Sequence, residues 1–589
     1  MSLRTLTLGA LALSVGCTGS IGGDPPEGSP GPGTGTQTSA FSCDPSLIAP
    51  EIPLRRLSRT QYRNSIRDLV ARTAGDESET IFAELEDVIA TMPDDLKKGP
   101  DVHYALLHRL DQAVYQETVE AAYEVGAAFG DAFASSDARL TKLAGACAID
   151  ADTGNDAACV DAFLRGFGER VLRRPLTDDD VAFYRAVIDG PVERADYVDM
   201  VTMLMSAPHF LYFVEHGNDD SEEGEGEPAP LSAFEMASRL SYHFWQTMPD
   251  DELLAVAKDG SLLDEEVFAE QVARLFADAR TEGALEEFFA DWLDPYHLGD
   301  LDAKVGTAPY DAFRGDFTPT AELRGNMMSE LVGMASYFSR SPDGTFDDLF
   351  LSNQSFAKTD DVAALYGVPV WEGGEPPTFP DAARQGLITR AALTASGLAT
   401  TRPVMKGVYI RKALLCQEIP PPPGDATAVA AELEGQVFTA REKAQAITEL
   451  RDDCAGCHAT LINPLGFVTE AFDGLGRFRS EEQIFDQTTG ELLATRPVDA
   501  TATPYVLGED LRVATSPADL NSFLIESEKP QACFARQYFR FTFGREESDK
   551  EDGCTLASLH QAVLEGDSLA SVLKSIALRP EFRRRSFDQ

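Results

Sequence analysis

The sequence has few basic residues and, after its first residues, no apolar segment long enough to span a membrane. Of its 589 residues, 50 are lysine or arginine and 97 are aspartate or glutamate, a formal net charge of −47. Such a surface repels nucleic-acid phosphates, which excludes a nucleic-acid partner. It also repels anionic headgroups, so membrane contact would need a covalent lipid anchor. An acidic surface keeps a protein soluble, and it can also steer a basic partner.

Familiar catalytic motifs are missing as well. The sequence has no Gly-x-Ser-x-Gly elbow, no phosphate-binding loop and no His-Glu-x-x-His zinc motif. Paired carboxylates are abundant, but in a chain this acidic they carry no information about hydrolase chemistry. The sequence therefore leaves open whether the protein is an enzyme.

The N-terminus resembles an export signal. Arg4 precedes an apolar run at 6–15, and Gly16 and Cys17 follow. Small residues before a cysteine are typical of bacterial lipoproteins, so we expect lipidation at Cys17, with simple secretion as the alternative. The expected location is the outer membrane or periplasm. Glycine, serine and proline dominate the following residues, which we interpret as a flexible tether.

Hydrophobic residues at three- and four-residue spacing predict a mainly α-helical, multidomain protein. Three hydroxyl residues each precede an acidic residue by three positions, which is typical of helix starts. An amphipathic helix is predicted over 231–246, and a small hairpin is predicted around the turn at 488–490. The hydroxyl–acid pairs are Thr177 with Asp180, Ser232 with Glu235, and Thr439 with Glu442.

Composition breaks and helical segments predict the domain boundaries. The expected order is an export signal (1–17), a tether (18–50), helical domains at 51–135 and 136–217, an acidic linker (218–230), a central helical domain (231–370), a module that contains a C-x-x-C-H motif (384–480) and a C-terminal domain with short strands and then helices (482–589).

The most specific motif is Cys454-Ala-Gly-Cys457-His458. A covalent c-type haem needs two thiols to alkylate its vinyl groups and an imidazole to bind the iron, and C-x-x-C-H supplies all three. We therefore predict one haem c, held by Cys454 and Cys457, with His458 as the proximal iron ligand. A zinc site, a redox dithiol and a plain disulfide are the alternatives, and the last leaves His458 without a role.

Residues near the motif are candidates for supporting roles. A carbonyl in the turn at Asn463 and Pro464 can accept the His458 Nδ1–H and fix the ring. Arg477 and Arg479 can reach the haem propionates, or they can lie at a solvated helix end.

The distal iron ligand is undecided, because no methionine follows Met405. The candidates are His560, Met405 and His243, or no ligand at all. An open iron would permit small-ligand chemistry, whereas a closed one would restrict the site to electron transfer.

The other cysteines fit an oxidising compartment. Cys147 and Cys159 flank a short polar loop, and Cys533 and Cys554 flank another, so both pairs are predicted to be local disulfides. Elimination leaves Cys43 with Cys416, although connectivity cannot be read from sequence.

Several segments together resemble the planctomycete-type secreted family that combines domains of unknown function with a cytochrome-c-like module. The resemblance implies five consecutive helical modules, with the haem motif in the fourth, and it supplies no function. Asn463 stands where many relatives carry Asp, and His243 stands where an aromatic residue is more usual. The resembling segments are RLSRTQYRNSIRDL (56–69), RRPLT (173–177), SAPHFLY (206–212), RLSYHFW (239–245), MPDDELL (248–254), RQGLIT (384–389), CAGCH (454–458), NPLGF (463–467), EAFDGLGR (470–477) and YFRFTFGR (538–545).

Two functions from different classes fit these observations. The first is an exported mono-haem protein for electron transfer or haem-dependent oxidoreductase chemistry, working with a redox partner in the envelope. The second is a surface scaffold that binds a glycan or protein, in which the haem or the cysteine pair is secondary.

Overall fold

The computed structural model describes residues 41–97, 110–113, 115–217, 228–419, 436–450 and 452–586. Within these ranges the protein is mainly helical with three small antiparallel sheets, which confirms the predicted fold class. The export signal, Cys17, most of the tether and most of the acidic linker lie outside the described residues.

The described residues form two compact units. The first unit comprises Pro295–Leu331 and Phe350–Cys533. The second comprises the described residues up to Asp294, then Val332–Leu349 and the residues from Phe534 onward. The C-x-x-C-H motif therefore belongs to the first unit.

Helices dominate both units, and none in the described part of the chain is long and apolar enough to cross a membrane. Helices of the second unit are Arg59–Ala74, Ser78–Ile89, Gln116–Ala134, Asp137–Ala144, Asp156–Phe163, Glu169–Leu172, Asp178–Arg185, Arg194–Met205, Pro208–Leu211, Ala233–Trp245, Asp251–Lys258, Glu265–Ala277, Arg280–Trp292, Gly553–Leu564 and Leu569–Ser575. Helices of the first unit are Ala308–Arg314, Asp360–Tyr366, Ala391–Thr394, Pro403–Tyr409, Ala440–Thr448, Asp452–Cys457, Asn463–Phe467 and Pro517–Glu526. Leu323–Arg340, Asp348–Leu351 and Lys529–Phe543 contribute residues to both units.

Local side-chain chemistry explains where several helices begin. Each of the three predicted hydroxyl–acid pairs forms a reciprocal capping box, in which both side chains bond to backbone N–H groups. The helix predicted over 231–246 is Ala233–Trp245, and Ser232 is its N-cap. These caps satisfy backbone donors that the first helical turn leaves without partners.

The sheets are two-stranded. Glu481–Phe485 pairs with Leu492–Pro497 around the turn at 488–490, which confirms the predicted hairpin. The other two sheets pair segments that are distant in sequence, Arg55–Arg56 with Tyr212–Phe213 and Ala229–Pro230 with Arg584–Arg585.

The core of the first unit contains a fully buried ion pair. Arg390 Nη1 lies 2.6 Å from Glu330 Oε1, and neither side chain has any exposed surface. The Tyr366 hydroxyl donates to Glu330 Oε2 at 2.9 Å, and the Phe356 amide donates to Oε1 at 3.2 Å. Three donors therefore compensate for the desolvation of one carboxylate.

Three disulfides join six cysteines. Cys147 is bonded to Cys159, as the sequence predicts. The predicted pairs Cys533–Cys554 and Cys43–Cys416 are wrong: the bonds are Cys43–Cys554 and Cys416–Cys533, with Cα atoms 4.0 and 5.3 Å apart. These pairs are separated by 511 and 117 residues, so tertiary packing rather than sequence proximity selects them.

Candidate functional site

The C-x-x-C-H motif lies where a helix changes its winding. Cys454 and Cys457 belong to the helix Asp452–Cys457, and His458 begins a π-helical turn, His458–Ile462. Helical positions i, i+3 and i+4 share one face, so the two thiols and the imidazole project from the same side. Cys454 is buried, whereas Cys457 and His458 are half-buried. The winding therefore groups the three side chains that covalent haem attachment requires.

Asn463 contacts the ring of His458. Asn463 Oδ1 lies 3.1 Å from His458 Nδ1, and Asn463 is fully buried at the start of the helix Asn463–Phe467. The acceptor is thus the side-chain amide of Asn463, in the turn where the sequence suggests one. The neighbouring Pro464 is also buried, in the first turn of that helix, where a missing N–H is tolerated.

Two further residues fix the orientation of the Asn463 amide. Asn463 Nδ2 lies 2.9 Å from Glu449 Oε1 and 2.9 Å from Thr448 Oγ1. The Glu449 carboxylate can accept but not donate, and the Thr448 hydroxyl donates to the Ala444 carbonyl, so Nδ2 must be the donor to both. The amide oxygen therefore faces His458. Nδ1 therefore donates to that oxygen, so Nε2 is the ring nitrogen that remains for a metal.

Two glycines bring the supporting helices into backbone contact. A Cβ at Gly407, on the helix Pro403–Tyr409, would lie 2.0 Å from the Ile462 carbonyl oxygen. A Cβ at Gly466 would lie 1.9 Å from the Pro403 carbonyl oxygen. This packing fixes the C-terminal side of the π-helical turn that begins at His458.

We predict that Gly466→Ala destabilises the first unit by about 1–3 kcal/mol, because the methyl group must displace backbone rather than a side chain. Gly325→Ala is the matched control: Gly325 is exposed on the helix Leu323–Arg340, and an added Cβ there meets nothing within 4 Å. Thermal unfolding followed by circular dichroism compares the variants. Equal midpoints for the two would contradict the close helix contact.

Both candidate propionate partners have carboxylate partners inside the module. Arg477 Nε lies 2.8 Å from Asp473, and Arg479 Nη2 lies 3.2 Å from Glu470. Glu470 also binds the buried Lys406 at 3.1 Å. These pairs give both arginines a role in holding the module together, and a contact with haem propionates stays a prediction.

Met405 is half-buried on the helix Pro403–Tyr409, and iron ligation by it stays a prediction. Met405 and Gly407 belong to the same helix, and Gly407 faces the Ile462 backbone. Residues two apart on an α-helix point in nearly opposite directions, about 200° around the axis. Met405 therefore lies on the face of its helix that points away from the His458–Ile462 turn.

The other two distal candidates are buried in the second unit. His243 Nε2 lies 3.1 Å from the Tyr538 hydroxyl, which itself donates to the Leu573 carbonyl. Tyr538 must therefore accept from His243, so Nε2 carries a proton and has no lone pair for iron. His560 is buried edge-on against Phe41, at 5.7 Å between ring centroids. The geometry thus assigns His243 to the core of the second unit.

Burial lowers the pKa of His243 to about 3, with a smaller contribution from Arg55. The folded state keeps this ring neutral while the unfolded chain takes up a proton below its usual pKa of about 6.5, so stability falls as pH falls through that range. Between pH 7 and 5 we expect this histidine to cost the second unit about 2 kcal/mol. Denaturant unfolding at both pH values should show a shallower pH dependence for His243→Phe, and identical dependences would contradict this role.

A polar cavity of about 480 Å³ lies along the helix Ala440–Thr448. Its walls include Gln445, Glu470 and Glu482. Burial raises the pKa of Glu482, and the charge of Arg479 partly opposes this effect.

The sequence gives no signal for three residues of this site, because they precede the motif without any recognisable spacing to it. They are Gln445, Thr448 and Glu449.

The described residues contain no group of three or more His, Cys, Asp or Glu side chains arranged to hold a metal ion by themselves. Covalent haem needs less from the protein, namely two thiols and one correctly protonated imidazole. Because Asn463 engages His458 Nδ1 and leaves Nε2 for a metal, the residues present fit a haem iron.

Comparison with known families gives three matches. PSD5, a protein of unknown function (DUF1595), matches residues 159–215, and PSD4, a protein of unknown function (DUF1592), matches residues 231–368. PSCyt3, a protein of unknown function (DUF1588), matches residues 384–482, the segment that contains Cys454, Cys457 and His458. No curated protein and no solved structure matches the chain significantly.

Proposed function

We propose that this chain, which belongs to the planctomycete-type family of multidomain proteins with cytochrome-c-like domains of unknown function, is an exported mono-haem redox protein. The observation that carries the proposal is the hydrogen bond between His458 Nδ1 and the Asn463 side chain, made by the imidazole of the C-x-x-C-H motif. A hydrogen-bonded Asn463 presents its oxygen to Nδ1, which leaves Nε2 as the ring nitrogen for a metal. The cytochrome-like name of the matching domain supports the same conclusion.

Each residue of the motif has a separate task in this proposal. Cys454 and Cys457 would hold the porphyrin through thioether bonds, and His458 Nε2 would bind the iron. A haem held there would supply a reversible one-electron couple. Asn463 keeps the imidazole in the required tautomer and limits its rotation.

We place the protein in the cell envelope. Three disulfides fit an oxidising compartment, which is also where c-type haem is attached. Lipidation at Cys17 would supply the covalent anchor that an acidic surface needs near a membrane. The net charge of −47 favours a basic redox partner.

A redox titration of the purified wild-type chain tests the function. The proposal predicts reversible reduction by one electron per chain, followed by absorbance. Carbon monoxide added to the reduced protein then reports the distal side: a spectral shift means an open iron, and an unchanged low-spin spectrum means plain electron transfer. A chain without any reducible chromophore would contradict the proposal and favour a surface scaffold.

A further inference from the structure

We infer that Glu449 is a positioning residue that sets how strongly His458 donates electrons to a bound iron. The inference deepens the proposed function and rests on it. Its basis is one hydrogen-bonded chain: Glu449 Oε1 accepts from Asn463 Nδ2 at 2.9 Å, and Asn463 Oδ1 accepts from His458 Nδ1 at 3.1 Å. These two bonds connect Glu449 to the imidazole through the Asn463 amide, so we infer that it acts through Asn463.

The negative charge of Glu449 polarises the amide between them. A carboxylate that accepts from Nδ2 increases the negative charge on Oδ1, which strengthens the hydrogen bond from Nδ1–H. An imidazole whose Nδ1–H donates a strong hydrogen bond is a more basic ligand at Nε2. Stronger donation favours the oxidised iron, so Glu449 lowers the reduction potential.

The other oxygen of Glu449 is fixed as well. Gln445 Nε2 donates to Glu449 Oε2 at 3.0 Å, one helical turn earlier on Ala440–Thr448. Gln445 lines the polar cavity of about 480 Å³. Donors thus hold both oxygens of the carboxylate. The series of hydrogen bonds that begins at His458 therefore ends at Gln445, beside the polar cavity.

Thr448 separates this electronic role from simple positioning. Its hydroxyl accepts from the same Asn463 nitrogen at 2.9 Å but carries no charge. If the two acceptors serve merely to orient the amide, the loss of either should shift the reduction potential equally. If the charge of Glu449 matters, Glu449→Gln should shift the potential more than the loss of the Thr448 hydroxyl does, because it removes the charge and keeps the volume.

The test compares the midpoint potentials of the wild type, Glu449→Gln, Thr448→Val and Glu442→Gln, each with its haem content measured by pyridine haemochrome. Glu442→Gln is the matched control, because it removes one charge from the same helix and glutamine preserves the capping box. We expect a positive shift for Glu449→Gln, a smaller one for Thr448→Val and the wild-type potential for Glu442→Gln.

The outcomes distinguish the inference about Glu449 from the proposed function as a haem protein. A haem-bearing Glu449→Gln protein whose potential equals that of Glu442→Gln or Thr448→Val overturns this inference and leaves the proposed function intact. A wild-type chain without haem overturns both. If Glu449→Gln fails to fold, Gln445→Ala tests the same series of hydrogen bonds. It removes a donor that competes for the Glu449 charge, so the potential should fall, and an unmoved potential overturns the inference.

Discussion

Replacing Cys454 and Cys457 together by alanine is expected to abolish covalent haem attachment completely. The two thiols are the residues that would form the thioether bonds, and they share a helix face with His458. Any haem that remains in this variant should leave the chain on denaturation. Haem staining of denaturing gels measures the loss directly.

The chain offers its own control for the loss of a cysteine pair. Cys147 and Cys159 form a disulfide in the second unit, so replacing both with alanine should lower stability and leave haem attachment unchanged. Covalent haem retained by the Cys454→Ala, Cys457→Ala protein would contradict the assigned attachment site.

Glu330→Gln is expected to destabilise the first unit by about 3–5 kcal/mol, the usual cost of breaking a fully buried ion pair. Glutamine keeps the shape of the side chain but leaves the Arg390 charge without its counter-ion at a site with no solvent exposure. Chemical denaturation monitored by circular dichroism gives the difference in unfolding free energy.

Glu322→Gln is the matched control, because Glu322 is exposed and lies eight positions earlier in the sequence. A charge-free double variant, Glu330→Met with Arg390→Met, should recover much of the loss, since the penalty comes from an uncompensated charge. Equal stability of Glu330→Gln and Glu322→Gln would contradict the described core.

Local signals in the sequence predicted the helix starts and the hairpin. A capping box such as Ser232 with Glu235 is complete within four residues, so its outcome depends little on the rest of the fold. Cysteine pairing depends on tertiary packing. The sequence predicts a local bond between Cys533 and Cys554, yet each bonds to a cysteine far away in the sequence.

The same distinction between local signals and tertiary packing applies to the candidate site. The C-x-x-C-H motif itself contains the two thiols and the imidazole. Asn463 follows His458 closely enough to be identified from the sequence. Glu449 could not be found, because its role depends on how the helix Ala440–Thr448 packs beside the Asn463–Phe467 helix. Likewise, the hydrogen bond between His243 Nε2 and Tyr538 is a tertiary contact that no local pattern in the sequence indicates.

The haem content of the denatured wild-type chain is the most direct test. The protein would be produced with cytochrome c maturation machinery, extracted with acidified organic solvent to remove non-covalent haem, and assayed as the pyridine haemochrome. We predict one haem per chain that survives extraction, and none in His458→Ala purified and assayed in the same way, since the imidazole that positions the iron is lost. A wild-type chain that carries no covalent haem would contradict the account.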